Sequence, residues 1–261
     1  MFEKELKEAI NAGLKAKDGI MKYYRNGFDV EIKEDDSPVT QADKNADKEI
    51  REYLQKLFPN YAFLTEESDD DLSRLNNDYV WIVDPVDGTK DFIDKDDQFT
   101  TNIALAYKHE AVVGVVVIPA KNEVYYAAKG QGAYHLKDGK VTKIHVNDKT
   151  SDLTVLCSRH HVNDTELALI KANGAKITKK ETYGSAIKPC RIAEGLAEIT
   201  FRCSSGTKEW DTAASQVIVE EAGGYFLDPK GKRIMYNRED VYNRGGYEVV
   251  NSMENFIPLY K

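Results

Sequence analysis

Positive charge is in short supply. Lys and Arg number 36 against 44 Asp and Glu in 261 residues, a formal net charge of −8. Coating nucleic acid takes a Lys/Arg excess on some face, so no nucleic-acid partner is expected. Cysteine is scarcer still: Cys157, Cys190 and Cys203, an odd number. A secreted disulfide scaffold needs more of them, in pairs, so reduced thiols in the cytoplasm are expected. Long apolar runs are missing too. The longest, Ala111 to Ala120, falls short of the roughly 20 residues that span a bilayer as a helix. The start, Met1-Phe2-Glu3-Lys4-Glu5, has no apolar signal core, and no membrane partner is expected. No stretch rich in Pro, Gly and Ser divides the chain, and no internal repeat is visible.

What is present is a globular composition, 41% hydrophobic and 31% charged. The length allows one large domain or two subdomains. Phe2, Leu6, Ile10 and Leu14 form one helix stripe, and Gly27 with the polar run Lys33 to Ser37 ends that unit. A second helix starts near Thr40 and carries Ala42, Ala46, Ile50, Leu54 and Leu57 up to Pro59-Asn60. Short strands follow at Ala62–Thr65 and Tyr79–Val83, then a β-meander from Thr101 to Val146 with a hairpin turn at Asp138-Gly139. Beyond residue 150 strands (154–157, 175–178, 197–201, 224–227) alternate with helices (164–172, 186–194, 211–222). The pattern gives an α+β half, 1–150, and an α/β half, 151–261, meeting at one interface.

Chemistry concentrates in Trp81-Ile82-Val83-Asp84-Pro85-Val86-Asp87-Gly88-Thr89-Lys90-Asp91-Phe92. An apolar strand delivers two carboxylates to its end. Pro85 stiffens the turn, and Asp84 and Asp87 can face one point across it. Gly88 permits a positive φ or a close backbone approach. Thr89 and Lys90 open a helix or turn whose free N–H groups can hold phosphate. Hard oxygen ligands beside an anion-binding turn suit Mg²⁺. Glu66-Glu67 ends the neighbouring short strand, and parallel pairing would set it beside Asp84. Asp211 sits at a helix start, where it either caps the helix or points at a metal. Thr40 and Asp43 read as a near capping box, or Asp43 orients a nucleophilic water; the sequence leaves both open. Cys157 and His160 have C-x-x-H spacing, but no second pair completes a zinc site.

These motifs, with Phe99–Ala104, Gly184–Gly195 and Trp210–Ala214, resemble the inositol monophosphatase superfamily of lithium-sensitive, Mg²⁺-dependent phosphatases. The resemblance runs from about Asp18 to Gly231. Lys90 after Thr89, and Gly184-Ser185 leading to Lys188, are similar to its branch of CysQ-type 3′(2′),5′-bisphosphate nucleotidases. The resemblance implies a layered αβαβα sandwich. It implies two or three Mg²⁺ ions on Glu66, Asp84, Asp87, Asp211 and the Val86 carbonyl, with inhibition by Li⁺ and Ca²⁺. Asp43 and Thr89 match the pair that activates the attacking water. Substrate contacts fall on Gly88, Thr89, Lys90, Ser185, Lys188, Arg159, His160 and Glu209; Arg191, Arg202 and Lys208 are further candidates for a second phosphate. The expected substrate is a small phosphorylated nucleotide, adenosine 3′,5′-bisphosphate or its sulfated relative. Inositol or fructose phosphates, or a non-catalytic metal- or nucleotide-binding role, are the alternatives. The expected state is a monomer or homodimer.

Overall fold

The structure, a computed structural model, describes residues 1–32 and 38–259. The expected polar break at Lys33–Ser37 lies outside the described residues.

Helix α1 (Glu3–Asn26) buries Ala9, Ala12, Gly13, Ala16, Ile20 and Tyr24, while the Phe2, Leu6, Ile10 and Leu14 stripe is only half-buried. Small residues win the inner face because the helix lies so close to the sheet. A Cβ on Gly13 would sit 2.8 Å from Val117 Cγ2. A two-stranded ribbon, β1 (Val30–Ile32) and β2 (Pro38–Thr40), leads into α2 (Gln41–Leu57). That helix starts where the sequence places it. Ala42 N–H donates to Thr40 Oγ1 at 3.1 Å, and Thr40 N–H donates to Asp43 Oδ2 at 2.9 Å.

Both helices cover one face of a seven-stranded sheet. Its strands are β3 (Ala62–Thr65), β4 (Tyr79–Asp87), β5 (Thr100–Tyr107), β6 (Glu110–Ile118), β7 (Glu123–Ala128), β8 (Ala133–Lys137) and β9 (Lys140–Ile144), in spatial order. β3 runs parallel to β4; the other pairings are antiparallel. A short helix, α3 (Thr89–Asp94), leaves the end of β4. The second sheet has five strands in the order β11 (Ile177–Tyr183), β10 (Leu153–Ser158), β12 (Ile199–Arg202), β14 (Tyr247–Val250), β13 (Tyr225–Leu227). Helices α5 (Ile187–Ala193) and α6 (Glu209–Glu221) contribute to the apolar core between the sheets, and α4 (Asp164–Ala172) packs Leu169 and Ile170 against the outer face of the second sheet. The layers are therefore αβαβα, as expected.

The hydrophobic pattern locates most elements but misplaces several ends. β4 continues through Pro85 to Asp87 instead of stopping at Val83. β11 occupies 177–183, not 175–178, because it is an exposed edge strand whose Thr-Lys-Lys-Glu-Thr run has no apolar alternation. β14 is a strand the pattern does not announce: buried Glu248 interrupts its apolar residues. Among the described residues no helix is long and apolar enough to cross a membrane.

One close contact sets the depth of the middle layer. Ala104, Gly114, Ala127 and Ala133 are successive cross-strand neighbours on β5 to β8, a lane of small residues beneath the helices. A Cβ on Gly114 would lie 2.1 Å from the Ala214 carbonyl oxygen and 3.1 Å from Val217 Cβ on α6. Backbone meets backbone there, so no rotamer change relieves it. Gly114→Ala is expected to lower unfolding free energy by about 2 kcal/mol or more, read as a reduced urea midpoint. An unchanged midpoint would show that α6 lifts away at no cost.

Candidate active site

A slip in strand pairing creates the site. In regular β structure, residues three apart point to opposite faces. Asp84 pairs with Asn102 but Asp87 pairs with Thr100, so β4 holds one residue more than β5 across this stretch. That bulge at Pro85-Val86 brings Asp84 and Asp87 to the same side. β3 runs alongside, Thr65 opposite Val83, and Glu66 N–H donates to the Val83 carbonyl at 3.2 Å, setting Glu66 beside Asp84. α6 supplies Asp211 from the other side. Carboxylate oxygens of Asp84, Asp87 and Asp211 all lie within 4.8 Å of one another.

Burial makes this cluster electrostatically costly. Asp84 is 1% exposed, and its Oδ1 has no hydrogen-bond partner. Desolvation, then the charges of Glu66, Asp87, Asp211 and Asp43, push its pKa well above the usual carboxylate range. Asp211 is pushed well up by desolvation, Asp87 and Glu66, although Lys208 N–H donates to its Oδ2 at 2.6 Å. Asp87 is raised by burial and held back by Lys188 and by three donors to Oδ2: Thr100 Oγ1 (3.2 Å), Asn102 Nδ2 (3.2 Å) and the Ala186 N–H (2.8 Å). An orphaned buried oxygen amid converging hard oxygens is the donor set that a divalent cation fits.

Asp43 and Thr89 also meet. Thr89 Oγ1 lies 3.2 Å from Asp43 Oδ1 and 3.3 Å from the Val86 carbonyl oxygen. The opposite oxygen, Asp43 Oδ2, is fixed by the Thr40 N–H and Thr40 hydroxyl. Burial raises the Asp43 pKa against those bonds, and the Glu66 charge adds to it. The capping role and the position beside Thr89 therefore coexist, one on each oxygen.

The remaining candidates divide. Gly88 has φ +88°, and a Cβ there would meet Ser185 Oγ at 2.2 Å. Ser185 Oγ donates to the Asp87 carbonyl at 2.8 Å, so Gly88 and Ser185 both border the cluster. Lys188 is buried, with Nζ donating to Ser185 O (2.8 Å) and Tyr183 O (3.3 Å); desolvation lowers its pKa and Asp87 opposes that. Lys90 is exposed. Arg159 and His160 reach α3 and the loop after it: Arg159 Nε lies 2.9 Å from Asp96 Oδ2, and His160 Nε2 lies 3.1 Å from Asp91 Oδ1. Glu209 is fully buried, accepting from Asn237 N–H (2.6 Å), Arg238 N–H (2.8 Å) and Arg238 Nε (3.0 Å), which leaves it no face toward a ligand. Arg191 is bound up with Glu194 and Glu123, and Arg202 with Glu166. Lys208 stacks over Trp210 and Tyr242.

Sequence reasoning assigned no role to Thr100 and Asn102. Their alternate positions on the strand opposite Asp87 were the available signal. It also missed Asp91 and Asp96, which form a second group with His160. Burial and the Asp96 contact push Asp91 up to about 7.

The raised pKa values carry a sign. Between the unfolded and folded values of Asp84, the native protein binds a proton that the unfolded chain has released, so stability falls as pH rises through that window. In EDTA at pH 7.5, Asp84→Asn is expected to melt at a higher temperature than the unmodified protein, with the gap closing toward pH 4. Added divalent cation should raise the melting temperature of the unmodified protein much more than that of the variant. Melts at the two pH values, with and without cation, check both points; a variant less stable in EDTA at pH 7.5 would refute the repulsion.

The model of the inositol monophosphatase family matches residues 2–257. The 3′(2′),5′-bisphosphate nucleotidase CysQ of Salmonella typhimurium is 37% identical, over 95% of this chain and 99% of that protein. The protein of the same name from Escherichia coli K12 is 35% identical over the same shares. Among solved structures, CysQ from Bacteroides thetaiotaomicron superposes with a TM-score of 0.82 at 33% identity, covering 95% of this chain and 97% of that one. The IMPase of Thermotoga maritima superposes with a TM-score of 0.80 at 26% identity, covering 95% and 92%. A family match over nearly the whole length, on a fold whose β4 bulge and α6 converge three aspartates, leaves one conclusion: this chain belongs to the inositol monophosphatase family.

Proposed function

We propose that this phosphatase is a Mg²⁺-dependent, cytoplasmic 3′(2′),5′-bisphosphate nucleotidase, removing the 3′-phosphate of adenosine 3′,5′-bisphosphate to give AMP and orthophosphate. The convergence of Asp84, Asp87 and Asp211 within 4.8 Å carries the phosphatase chemistry. The choice of nucleotide is supported by relatives named for that activity, aligned over 95% of this chain. Asp84, Asp87, Asp211, Glu66 and the Val86 carbonyl would hold the metal. Bound there, Mg²⁺ supplies positive charge that acidifies water and neutralises the phosphoryl group.

The chain's own residues do the rest. Thr89, hydrogen-bonded to Asp43, orients the attacking water and passes its proton to Asp43 Oδ1. A carboxylate whose pKa is raised by burial accepts that proton more readily near neutral pH. Backbone N–H groups of Gly88 and Thr89, at the start of α3, face the phosphate. Water adds to phosphorus as the bond to the ribose 3′ oxygen breaks; Asp43 keeps the proton taken from the attacking water, and a solvent water protonates the departing ribose oxygen. Phosphoryl transfer rests on such positioning and charge neutralisation. Residues 1–150 would then supply the metal loop and the proton acceptor, and residues 151–261 the closing ligand Asp211.

The decisive experiment is a substrate panel with Mg²⁺ and with EDTA. Adenosine 3′,5′-bisphosphate should be the best substrate and EDTA should abolish turnover; equal or better hydrolysis of inositol 1-phosphate would overturn the substrate assignment. Asp43→Asn should lose about 10²–10⁴-fold in kcat with its circular dichroism unchanged. Asp87→Asn should be inactive, and wild-type-like turnover would refute the metal assignment. Millimolar LiCl, or excess Ca²⁺ over Mg²⁺, should slow the reaction.

A further inference from the structure

Glu66 and Asp211 sit on arms that the chain connects only through about half its length, and a buried guanidinium ties those arms together. Arg74 lies in the turn Ser73–Asn76, on the β3–β4 connection that begins at Glu66. It is 2% exposed, which is rare for arginine. Nε and Nη2 donate to Asp70 Oδ2 at 3.0 and 2.7 Å, on its own arm. The other donors cross over: Nη1 reaches Asn237 Oδ1 at 2.8 Å, and Nη2 reaches the Arg238 carbonyl at 3.0 Å. Asn237 returns a bond from Nδ2 to the Arg74 carbonyl at 3.2 Å.

The bonds continue to Asp211. Asn237 N–H and Arg238 N–H grip the two oxygens of Glu209, the first residue of α6. Arg238 Nη2 holds Asn243 Oδ1 at 2.8 Å, and Asn243 Nδ2 holds the Lys208 carbonyl at 2.9 Å and Thr212 Oγ1 at 3.1 Å. Residues 208, 209 and 212 thus flank Asp211 with fixed partners. The Glu66 arm has a second tie, Ser68 Oγ to Asp47 Oδ2 at 2.9 Å on α2.

We propose that Arg74 is a positioning residue for the metal centre: through Asn237, Arg238 and Glu209 it sets the spacing between Glu66 and Asp211. This rests on the reading that these two carboxylates hold the cation. It also gives Glu209 a part, as the anchor of the α6 start rather than a substrate contact. The guanidinium fork is required because one group must serve Asp70, Asn237 and a carbonyl together, which the ammonium of lysine cannot do in the same plane. Groups bonded directly to metal ligands typically contribute about 10- to 100-fold in metal affinity; Arg74 acts through intermediates, so its share falls at the low end, about 10-fold.

The test is Mg²⁺ titration by calorimetry of the unmodified protein, Arg74→Ala, Arg74→Lys and Asn237→Ser. Arg233→Ala serves as a control; it removes a half-buried pair with Glu220 at the far end of α6. Arg74→Ala should bind Mg²⁺ about 10-fold more weakly, with Arg74→Lys and Asn237→Ser between it and the unmodified protein. At saturating Mg²⁺ the KM for the nucleotide should be unchanged. Arg233→Ala should lower the melting temperature without changing Mg²⁺ affinity. Unchanged Mg²⁺ affinity in folded Arg74→Lys and Asn237→Ser would overturn the inference, as would an equal loss in Arg233→Ala. If the unmodified protein itself binds no Mg²⁺, the metal assignment fails first.

Discussion

Like charges that the fold will not let separate are what this structure is organised around. Three aspartates converge within 4.8 Å, Asp84 buried and Asp87 and Asp211 half-buried. Each is braced against its neighbours by a different device. Asp84 is fixed by the strand and its bulge, Asp87 by donors from β5 and the start of α5, and Asp211 by its own helix start. Among the described residues Lys188 is the one buried ammonium that bears on the cluster, and its own desolvation lowers its pKa. A bound cation would relieve that unfavourable energy, so the overall acidity of the chain would locally be a binding property. A polyanionic substrate would be repelled from such a cleft until a cation binds.

The middle helical layer gives that cluster a defined geometry. α6 can carry Asp211 to the end of β4 only because Gly114 and its alanine neighbours let the helix rest on the sheet backbone. The rim pairs its own groups: Arg159 pairs with Asp96 and His160 Nε2 contacts Asp91, so these two side chains already have acidic partners. Recognition of a second phosphate there would be an exchange of anions rather than the filling of a bare positive site.

Legibility in the sequence followed locality. Asp84, Asp87, Gly88 and Thr89 could be read because one short run holds an apolar strand, a stiff turn and hard oxygens together. Thr40 and Asp43 could be read as a helix cap, but the contact with Thr89 is made 46 residues away and has no local signature. Asp211 was ambiguous on its own terms, since capping and ligation ask for the same residue at the same place; only the family resemblance separated them. The anchoring of Glu209 had no local signal either: its partners, Asn237 and Arg238, are remote and polar. Arg74 was invisible because an arginine among aspartates in a loop looks solvated. The leucine stripe of α1 was real but lay to the side of the buried face, because close helix–sheet approach favours alanine and glycine over bulk.

The insertion of α6 between the two sheets has a consequence for synthesis. The seven-stranded sheet is complete at Ile144, but the helix that covers its inner face ends only at Glu221. At about 5–20 residues per second, a ribosome leaves that face without its cover for roughly 4–15 s. Val80, Ile82, Val116, Ile118 and Tyr125, all buried in the finished protein, stand open during that interval. A nascent chain of this kind is a natural client for a holdase at mid-translation. A transcript broken after the meander would yield a sticky half-protein that holds most of the acidic cluster but lacks Asp211.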